Sequence, residues 1–295
     1  MKKIIILLTL SLSITSLFAQ EDTLKQVTSK PVRFTFGTTT LVDMNTTETP
    51  YKGGLQLEIH HRFSVIENYH NLFGIYGSAD TRIGLNYGIT NRLMVGAGTT
   101  KDNKLQDIQW KYLIFQQTED NKMPVSLSYY GNMVIDLRKE EVFGPAESFK
   151  QIHRLSYFTQ LIVARKISNM FSVEIAPSLA YFNSVQENAD STSGYKNLNL
   201  GISAGARANV FGSHSVIIEY DQLLTKQDIP VQPKPNLSIG WEISTATHTF
   251  QIFAANYNQI INQRNLVFNT NDWRKSQWLI GFNICLLYTS DAADE

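Results

Sequence analysis

The sequence predicts an all-β fold, an antiparallel up-and-down transmembrane β-barrel of about twelve strands. Three observations support this prediction. Apolar and polar side chains alternate with a period of two in one segment after another. The segments are joined by connections that are short and long in near alternation. After the N-terminus, no apolar run approaches the length of a membrane-spanning helix, whereas a barrel strand needs an apolar residue only at every second position.

The clearest example of the alternation lies in residues 79–100, ADTRIGLNYGITNRLMVGAGTT. One face of the first run carries isoleucine, leucine and tyrosine, and the other face carries arginine, glycine and asparagine. A polar break at residues 90–91 separates this run from a second alternating run at residues 93–100. Two such runs around a tight turn predict a β-hairpin.

The same alternation predicts ten further strands. Their ranges are 55–66, 105–115, 125–136, 153–166, 171–181, 197–210, 215–221, 237–244, 247–257 and 277–284. The pattern is least regular in residues 247–257. Closing these strands into a barrel would remove the exposed edges that promote aggregation.

The connections between the predicted strands fall into two classes. Short ones lie at 89–92, 168–170, 211–213 and 245–247, and long ones at 67–78, 137–152, 184–195, 225–235 and 258–274. Residues 101–104 and 116–124 break the trend. Short periplasmic turns and long external loops are typical of outer-membrane barrels, so we expect both termini to face the periplasm. Tyrosine and phenylalanine near strand ends would form interfacial girdles, although aromatic residues also favour strands in general.

The N-terminus predicts export. Lys2 and Lys3 precede an apolar run, and Ala19 is a small residue suited to cleavage, so residues 1–19 are typical of a secretory signal peptide. A membrane anchor helix is the alternative, but the apolar run is short for that role. We therefore expect an outer-membrane location in a Gram-negative bacterium. A soluble periplasmic sandwich is a further alternative.

Two terminal segments fall outside the regular pattern. Residues 20–54 are polar and contain one strand-like run, 33–44, which could form an extra strand, an inward plug or a periplasmic extension. Residues 285–295, CLLYTSDAADE, resemble a translated sequencing adaptor, which predicts a non-native tail; a genuine polar tail is the alternative. The barrel domain is then expected at 55–284. The single cysteine, Cys285, excludes an intramolecular disulfide framework.

Three segments carry a family resemblance: DTRIGLNYGITNRLMVG, RLSYFTQLIVARKIS and FSVEIAPSLAYF. Together they resemble a family of exported outer-membrane β-barrel proteins of Bacteroidota, a domain of unknown function. The resemblance runs from about residue 31 to residue 284. It implies an outer-membrane barrel. Because these motifs are strand and turn patterns, the resemblance implies no functional residues.

Charged side chains on the polar faces of the strands are candidates for lining the lumen. They are Glu58, Arg62, Asp80, Arg82, Asp107, Lys111, Arg154, Glu174, Arg207, Glu219, Asp221 and Glu242. Such residues could form a polar pore or a solute site, or a network of salt bridges that fills a narrow lumen. Barrels of about eight strands are filled by side chains, whereas 16–18 strands leave an aqueous channel. A filled or narrow lumen is favoured over a freely open one.

The sequence offers little support for catalysis or for a bound cofactor. A lipid hydrolase of the barrel type would need a serine and a histidine in contact on the outer surface. His153 and Ser156 are three positions apart, so in a strand they point to opposite faces. The histidines show no metal-ligand spacing. We expect no enzyme activity, no cofactor and no metal, with the lipid hydrolase as a minor alternative.

The leading functional hypothesis is passage or binding of a small solute through the polar lumen. The alternative is a structural or surface-interaction barrel with a filled lumen. The expected partners are outer-membrane lipid and a small solute, and the chain is expected to be a monomer. The 26 basic and 26 acidic residues give no net charge, so nothing in the charge favours a nucleic-acid partner.

Overall fold

The computed structural model describes residues 29–67, 69–144, 147–185 and 194–288. The expected signal peptide at 1–19 lies outside the described residues. So do residues 20–28 of the polar N-terminal segment and residues 289–295 of the expected tail. Among the described residues, no helix has the length and apolar character needed to cross a membrane.

Twelve antiparallel strands form a closed barrel in which each strand pairs with its sequence neighbours and the first pairs with the last. The predicted fold class is confirmed. The strands are β1 Leu55–Arg62, β2 Asp80–Gly88, β3 Leu93–Thr100, β4 Leu105–Phe115, β5 Ser126–Asp136, β6 Leu155–Lys166, β7 Phe171–Phe182, β8 Leu198–Phe211, β9 His214–Leu223, β10 Asn236–Ser244, β11 His248–Ala255 and β12 Leu279–Tyr288.

The connections define two ends of the barrel. The turn end carries residues 89–92, 116–125, 167–170, 212–213 and 245–247, and the loop end carries 63–79, 101–104, 137–154, 183–197, 224–235 and 256–278. The last of these loops contains the short helix α1, Asn262–Phe268, which is about two turns long. The N-terminal end of β1 and the C-terminal end of β12 both lie at the turn end, because Leu55 is opposite Tyr288 in the closing ladder.

Most strand boundaries lie within two residues of the sequence prediction, and the larger differences are at the ends of β1 and β12. Strand β1 ends at Arg62 rather than at residue 66. Strand β12 continues to Tyr288, beyond the expected barrel boundary at 284. In the sequence the alternation stops there, yet Leu286 pairs with Leu57 of β1 and with His248 of β11, so neighbouring backbones extend the strand. Strand β6 begins at Leu155 rather than 153, because a short 3-10 segment precedes it. The origin of residues 285–295 stays a prediction.

The period-two alternation places the two faces of each strand as expected for a barrel wall. In β2, Ile83 and Leu85 are each 49% exposed on the outward face, whereas Arg82 and Asn86 are buried on the inward face. The core of the molecule therefore lies in the lumen, and it is largely polar. Apolar side chains also enter it, among them Phe158 and Ile162 of β6, which the sequence did not single out.

Candidate functional site: the filled lumen

Residues 34–48 form a segment that enters the barrel, and we call it the plug; Phe34, at its start, is 73% exposed, and burial begins at Thr35. Its central part is a small hairpin in which Leu41 N–H donates to the Met44 carbonyl at 2.8 Å and Thr46 N–H donates to the Thr39 carbonyl at 3.0 Å. Phe36, Leu41, Val42 and Met44 are each no more than 2% exposed. Of the three roles open for this segment, the structure supports the inward plug.

Glu219 of β9 holds the tip of the plug hairpin. Its Oε2 accepts hydrogen bonds from the consecutive backbone N–H groups of Val42, Asp43 and Met44 at 3.0, 2.9 and 2.9 Å. Its Oε1 accepts from the Tyr257 hydroxyl at 3.2 Å. Successive N–H groups that converge on one oxygen form an anion-binding concavity, and here the anion belongs to the barrel wall.

Asp43 connects the plug to a strand and to the loop that follows β11. Its Oδ1 accepts from Arg62 at 2.7 Å and its Oδ2 accepts from Asn265 Nδ2 at 3.2 Å, while its carbonyl accepts from Asn262 at 2.7 Å. Burial raises the pKa of Asp43 to about 7, against the lowering effect of Arg62; the nearby Glu219 carboxylate adds to the rise.

The base of the plug is tied to β1 and β4. Lys111 Nζ donates to the backbone carbonyls of Thr39 at 2.7 Å and Glu48 at 3.2 Å. The Thr39 hydroxyl donates to Glu58 at 2.8 Å. Lys111 is fully buried, so its charge is compensated by these carbonyls and by carboxylates of the lumen rather than by water. Each end of the plug hairpin is therefore bonded to a charged wall residue.

The loop after β11 fills the lumen from the loop end. Helix α1 buries Leu266 and Val267 in a cluster with Phe158 and Phe182 of the wall. Gln263 Nε2 donates to the Ser156 hydroxyl of β6 at 3.2 Å. This loop meets the plug at the Asn262 and Asn265 contacts with Asp43, so two segments of the chain close the lumen together.

The predicted lumen residues fall into two groups. Ten of them have side chains on the inward faces of the strands, and two lie at the loop-end rim. The inward ones are Glu58, Arg62, Arg82, Asp107, Lys111, Glu174, Arg207, Glu219, Asp221 and Glu242. At the rim, Asp80 begins β2, and Arg154 lies in the 3-10 segment before β6, where its guanidinium donates to the Asp136 carbonyl at 2.9 Å.

Charge pairs join several of these residues across strands. Arg82 donates to both oxygens of Asp107, at 2.9 and 2.7 Å, and to Glu58 at 3.2 Å. Arg207 donates to Glu242 at 2.6 Å. These pairs are buried or nearly so, which makes the wall of the lumen a satisfied ionic network over much of its length.

Other lumen residues were missed by the sequence reasoning. Asp43, Tyr257, Gln263 and Asn265 lie outside the strands, where a period of two cannot assign a face. In the sequence prediction, Asp43 lies in the run 33–44, whose role is left open, Tyr257 lies at the end of the expected strand 247–257, and Gln263 and Asn265 lie in the connection 258–274. The run 33–44 was noted as strand-like, but its bonding partners lie far along the chain.

The cavities in and beside the lumen differ widely in volume. Two cavities deep in the lumen measure about 10 and about 20 Å³, each room for about one water molecule. At the turn end a cavity of about 490 Å³ lies beside the plug, with Phe36, Tyr51, Lys166 and Arg207 among its lining residues. The plug therefore separates an open vestibule from a tightly filled interior.

The serine and histidine candidates for hydrolysis do not meet in the pairs considered. Ser156 is buried toward the lumen and accepts from Gln263, whereas His153 Nδ1 accepts from the backbone N–H of Lys150 at the rim. His214 Nδ1 accepts from the Trp241 indole at 3.1 Å. Within the described residues, no group of three or more histidine, cysteine, aspartate or glutamate side chains is placed to hold a metal ion.

Comparison with the solved structure of the NanC porin shows the same type of fold. The NanC porin is 9% identical, with 80% of this chain and 99% of that chain covered and a TM-score of 0.50. An outer-membrane channel from Pseudomonas putida F1 is 11% identical, with 82% and 98% covered and a TM-score of 0.48. Among curated proteins, no sequence matches this chain.

Comparison with protein families gives the clearest assignment. Residues 36–288 match a family model described as a membrane-bound beta barrel domain, DUF5777. This range takes in the plug from Phe36 onward, the twelve strands and all of the connections between them. The expected origin in Bacteroidota stays a prediction. The chain belongs to this family of membrane-bound β-barrel domains.

Proposed function

We propose that the protein is a gated outer-membrane pore for small polar solutes, closed in this structure by its own N-terminal plug. The observation that carries the proposal is the occupation of the lumen by residues 34–48, which are bonded to charged side chains of the wall. The porin name of the NanC structure is in keeping with the proposal but says nothing of this chain's solute.

The chemistry of the plug contacts suits a segment that can leave. Glu219, Lys111 and Glu58 bind it through hydrogen bonds, which water can replace when the plug withdraws. The plug is connected to β1 only through residues 49–54 at the turn end, so withdrawal toward that end does not require any strand to unpair. The vestibule at the turn end provides space on the same side.

The apolar part of the plug makes the closed state the resting state. Withdrawal would expose Phe36, Leu41, Val42 and Met44, and burial of each such side chain is worth about 1.5–3 kcal/mol. Opening therefore needs energy from outside the barrel. We infer that a bound solute or a periplasmic partner that pulls on the N-terminal segment supplies it.

An emptied lumen would be polar and of mixed charge. Arg62, Lys111, Glu58 and Glu219 would lose their plug partners and face water, while the Arg82 group would stay paired. A lumen with both signs of charge suits small zwitterionic or neutral polar solutes better than ions of one sign.

A structural or surface-interaction barrel with a permanently filled lumen is the second candidate. It is favoured by the apolar contacts of α1, because Leu266 and Val267 pack on Phe158 and Phe182 and would be costly to expose. In that case the plug and the loop are parts of the core, and the external loops carry the function. Neither candidate assigns a catalytic role to the chain.

Planar-bilayer conductance of the refolded full chain separates the two candidates. The variants are a deletion of residues 34–48, a replacement of residues 258–272 by a short linker, and the combination of both. A gated pore predicts rare openings in the full chain, which a permanently filled barrel lacks, and sustained ohmic openings once both segments that fill the lumen are removed. Silence of the double variant, shown by its heat-modifiable gel mobility and circular dichroism to be folded and inserted, would overturn the proposal.

A further inference from the structure

Three buried oxygen atoms face one small cavity where the wall, the plug and α1 meet. They are Gln160 Oε1, Ser178 Oγ and Asn265 Oδ1, and none has a hydrogen-bond partner among the described residues. Their residues are 2%, 6% and 3% exposed. All three line the cavity of about 10 Å³. Because a buried polar atom without a partner costs about 1–3 kcal/mol, three around one cavity point to a bound species.

The same cavity is lined by two carboxylates. Asp43 comes from the plug and Asp221 from β9. Glu219 lies two positions before Asp221 and therefore on the same face of the strand. Arg62 is the basic partner bonded to this group, through Asp43. Counted together, three carboxylates face one guanidinium, so the surroundings of the cavity carry an excess of two negative charges when all three carboxylates are ionised, which for Asp43 requires a pH above about 7.

Oxygen ligands and excess negative charge together select a hard cation. A space for one atom cannot admit magnesium with the water molecules that it retains, whereas calcium accepts irregular sets of carboxylate and amide oxygens. A double charge also matches the local excess. We propose that this cavity is a calcium site, with Asp43, Gln160, Ser178, Asp221 and Asn265 as its ligand residues.

The second internal cavity shows why the first one is singled out. That cavity, of about 20 Å³, is lined by Glu58, Asp107, Arg82 and also Asp43, which borders both cavities, and it contains a partnerless oxygen, Oδ1 of Asn132. There the Arg82 guanidinium bonds two of the carboxylates directly, at 3.2 Å to Glu58 and at 2.7 Å to Asp107. With Arg62, which bonds Asp43, three carboxylates face two guanidiniums, so the charge is more nearly balanced than at the first cavity and a water molecule is sufficient.

A calcium ion in the first cavity would join three parts of the chain. Asp43 belongs to the plug, Asn265 to α1, and Gln160, Ser178 and Asp221 to three different strands. The bound ion would therefore stabilise the closed lumen. The inference does not depend on gating, because a permanently filled barrel would be stabilised by the same ion.

Equilibrium dialysis with radioactive calcium tests the site. The full chain is refolded in detergent without lipopolysaccharide, at pH 8 so that Asp43 is ionised, and with millimolar magnesium in excess. We expect one bound calcium ion per chain, and an affinity that is lower by about tenfold or more in Asp221→Asn. Gln160→Leu, which changes no charge, should weaken binding as well. Glu174→Gln is the matched control, because it removes a buried lumen charge away from this cavity.

The outcomes divide cleanly. Saturable binding of one ion that both cavity variants weaken and Glu174→Gln leaves unchanged supports the site. Absence of binding to the folded wild-type chain, or equal binding by wild type and both cavity variants, overturns it and leaves the cavity with an ordered water only. If Asp221→Asn does not refold, the comparison of Gln160→Leu with wild type decides.

Discussion

Replacing Glu219 by glutamine should release the tip of the plug without unfolding the barrel. In the structure one oxygen of this carboxylate accepts three consecutive backbone N–H groups, at 2.9–3.0 Å from Val42, Asp43 and Met44. Glutamine has nearly the same shape and keeps one acceptor oxygen, but it carries no charge. The substitution therefore tests the contribution of the charge to the three bonds.

The magnitude follows from the bond types. Hydrogen bonds to charged groups contribute about 1.5–3 kcal/mol each and neutral ones about 0.5–1.5 kcal/mol, so three bonds lose about 3 kcal/mol together. Loss of the repulsion between Glu219 and Asp221 offsets part of this. A net loss of about 2 kcal/mol would make opening of the hairpin roughly thirtyfold more frequent, since about 1.4 kcal/mol corresponds to a factor of ten.

Hydrogen exchange measured by mass spectrometry on peptides that cover residues 36–48 is the assay. The amides of Val42, Asp43 and Met44 should lose roughly thirtyfold in protection, while peptides from β4 and β5 should exchange as in wild type. Glu174→Gln is the control, because it neutralises another buried carboxylate of the lumen. Unchanged protection of the plug peptides in Glu219→Gln would refute the idea that this carboxylate holds the hairpin.

Three further predictions concern the wall, the outward face and pH. Arg82→Met leaves the carboxylates of Glu58 and Asp107 without their cation, and should lower the free energy of unfolding in detergent by about 3–5 kcal/mol, measured by urea titration. Ile252→Arg puts a charge on the outward face of β11, where the side chain is 65% exposed, and should cost about 2–4 kcal/mol in folding into lipid vesicles. The third is that the pore opens more often as pH rises from about 4 to about 7 and changes little above that. The pKa of Asp43 is about 7 in the docked plug against the ordinary 3.8 in the released one, so between these values docking takes up a proton and becomes weaker as pH rises.

Each of these three predictions has its own control. Adding Asp107→Leu to Arg82→Met should recover part of the loss, and a double variant as unstable as the single one would contradict the pairing. Ala246→Arg, in an exposed turn, should change folding by no more than about 0.5 kcal/mol. Asp43→Asn should remove the pH dependence of opening, and an unchanged pH profile in that variant would assign the effect to another group.

The sequence by itself determined the barrel wall. Alternation is a local property of the chain, because successive side chains of a strand point to opposite faces whatever the strand pairs with. The inward position of residues such as Arg82 and Glu242 and the outward position of Ile83 and Trp241 could therefore be assigned without any knowledge of register. Closure followed from the number of strands and from the need to pair the backbone N–H and C=O groups of the edge strands.

The tertiary structure decided which charges pair with one another. Arg82 could have met any acidic residue at its level in the barrel. The register of β1 to β4 places it beside Glu58 and Asp107, while Glu174 is left without a hydrogen-bond partner among the described residues. Register depends on the pairing of all neighbours, and no single segment encodes it.

The tertiary structure also decided what fills the lumen. Residues 34–48 and 256–278 lack a regular period, so their positions depend on partners far along the chain. Val42 and Glu219, which are 177 residues apart, are bonded at 3.0 Å. Only the closed barrel gathers Glu219, Arg62 and Lys111 around one space, and this arrangement gives the polar plug a stable place inside. A local pattern can assign a face, but the occupant of an enclosed space is fixed by contacts that exist only after the strands have closed around it.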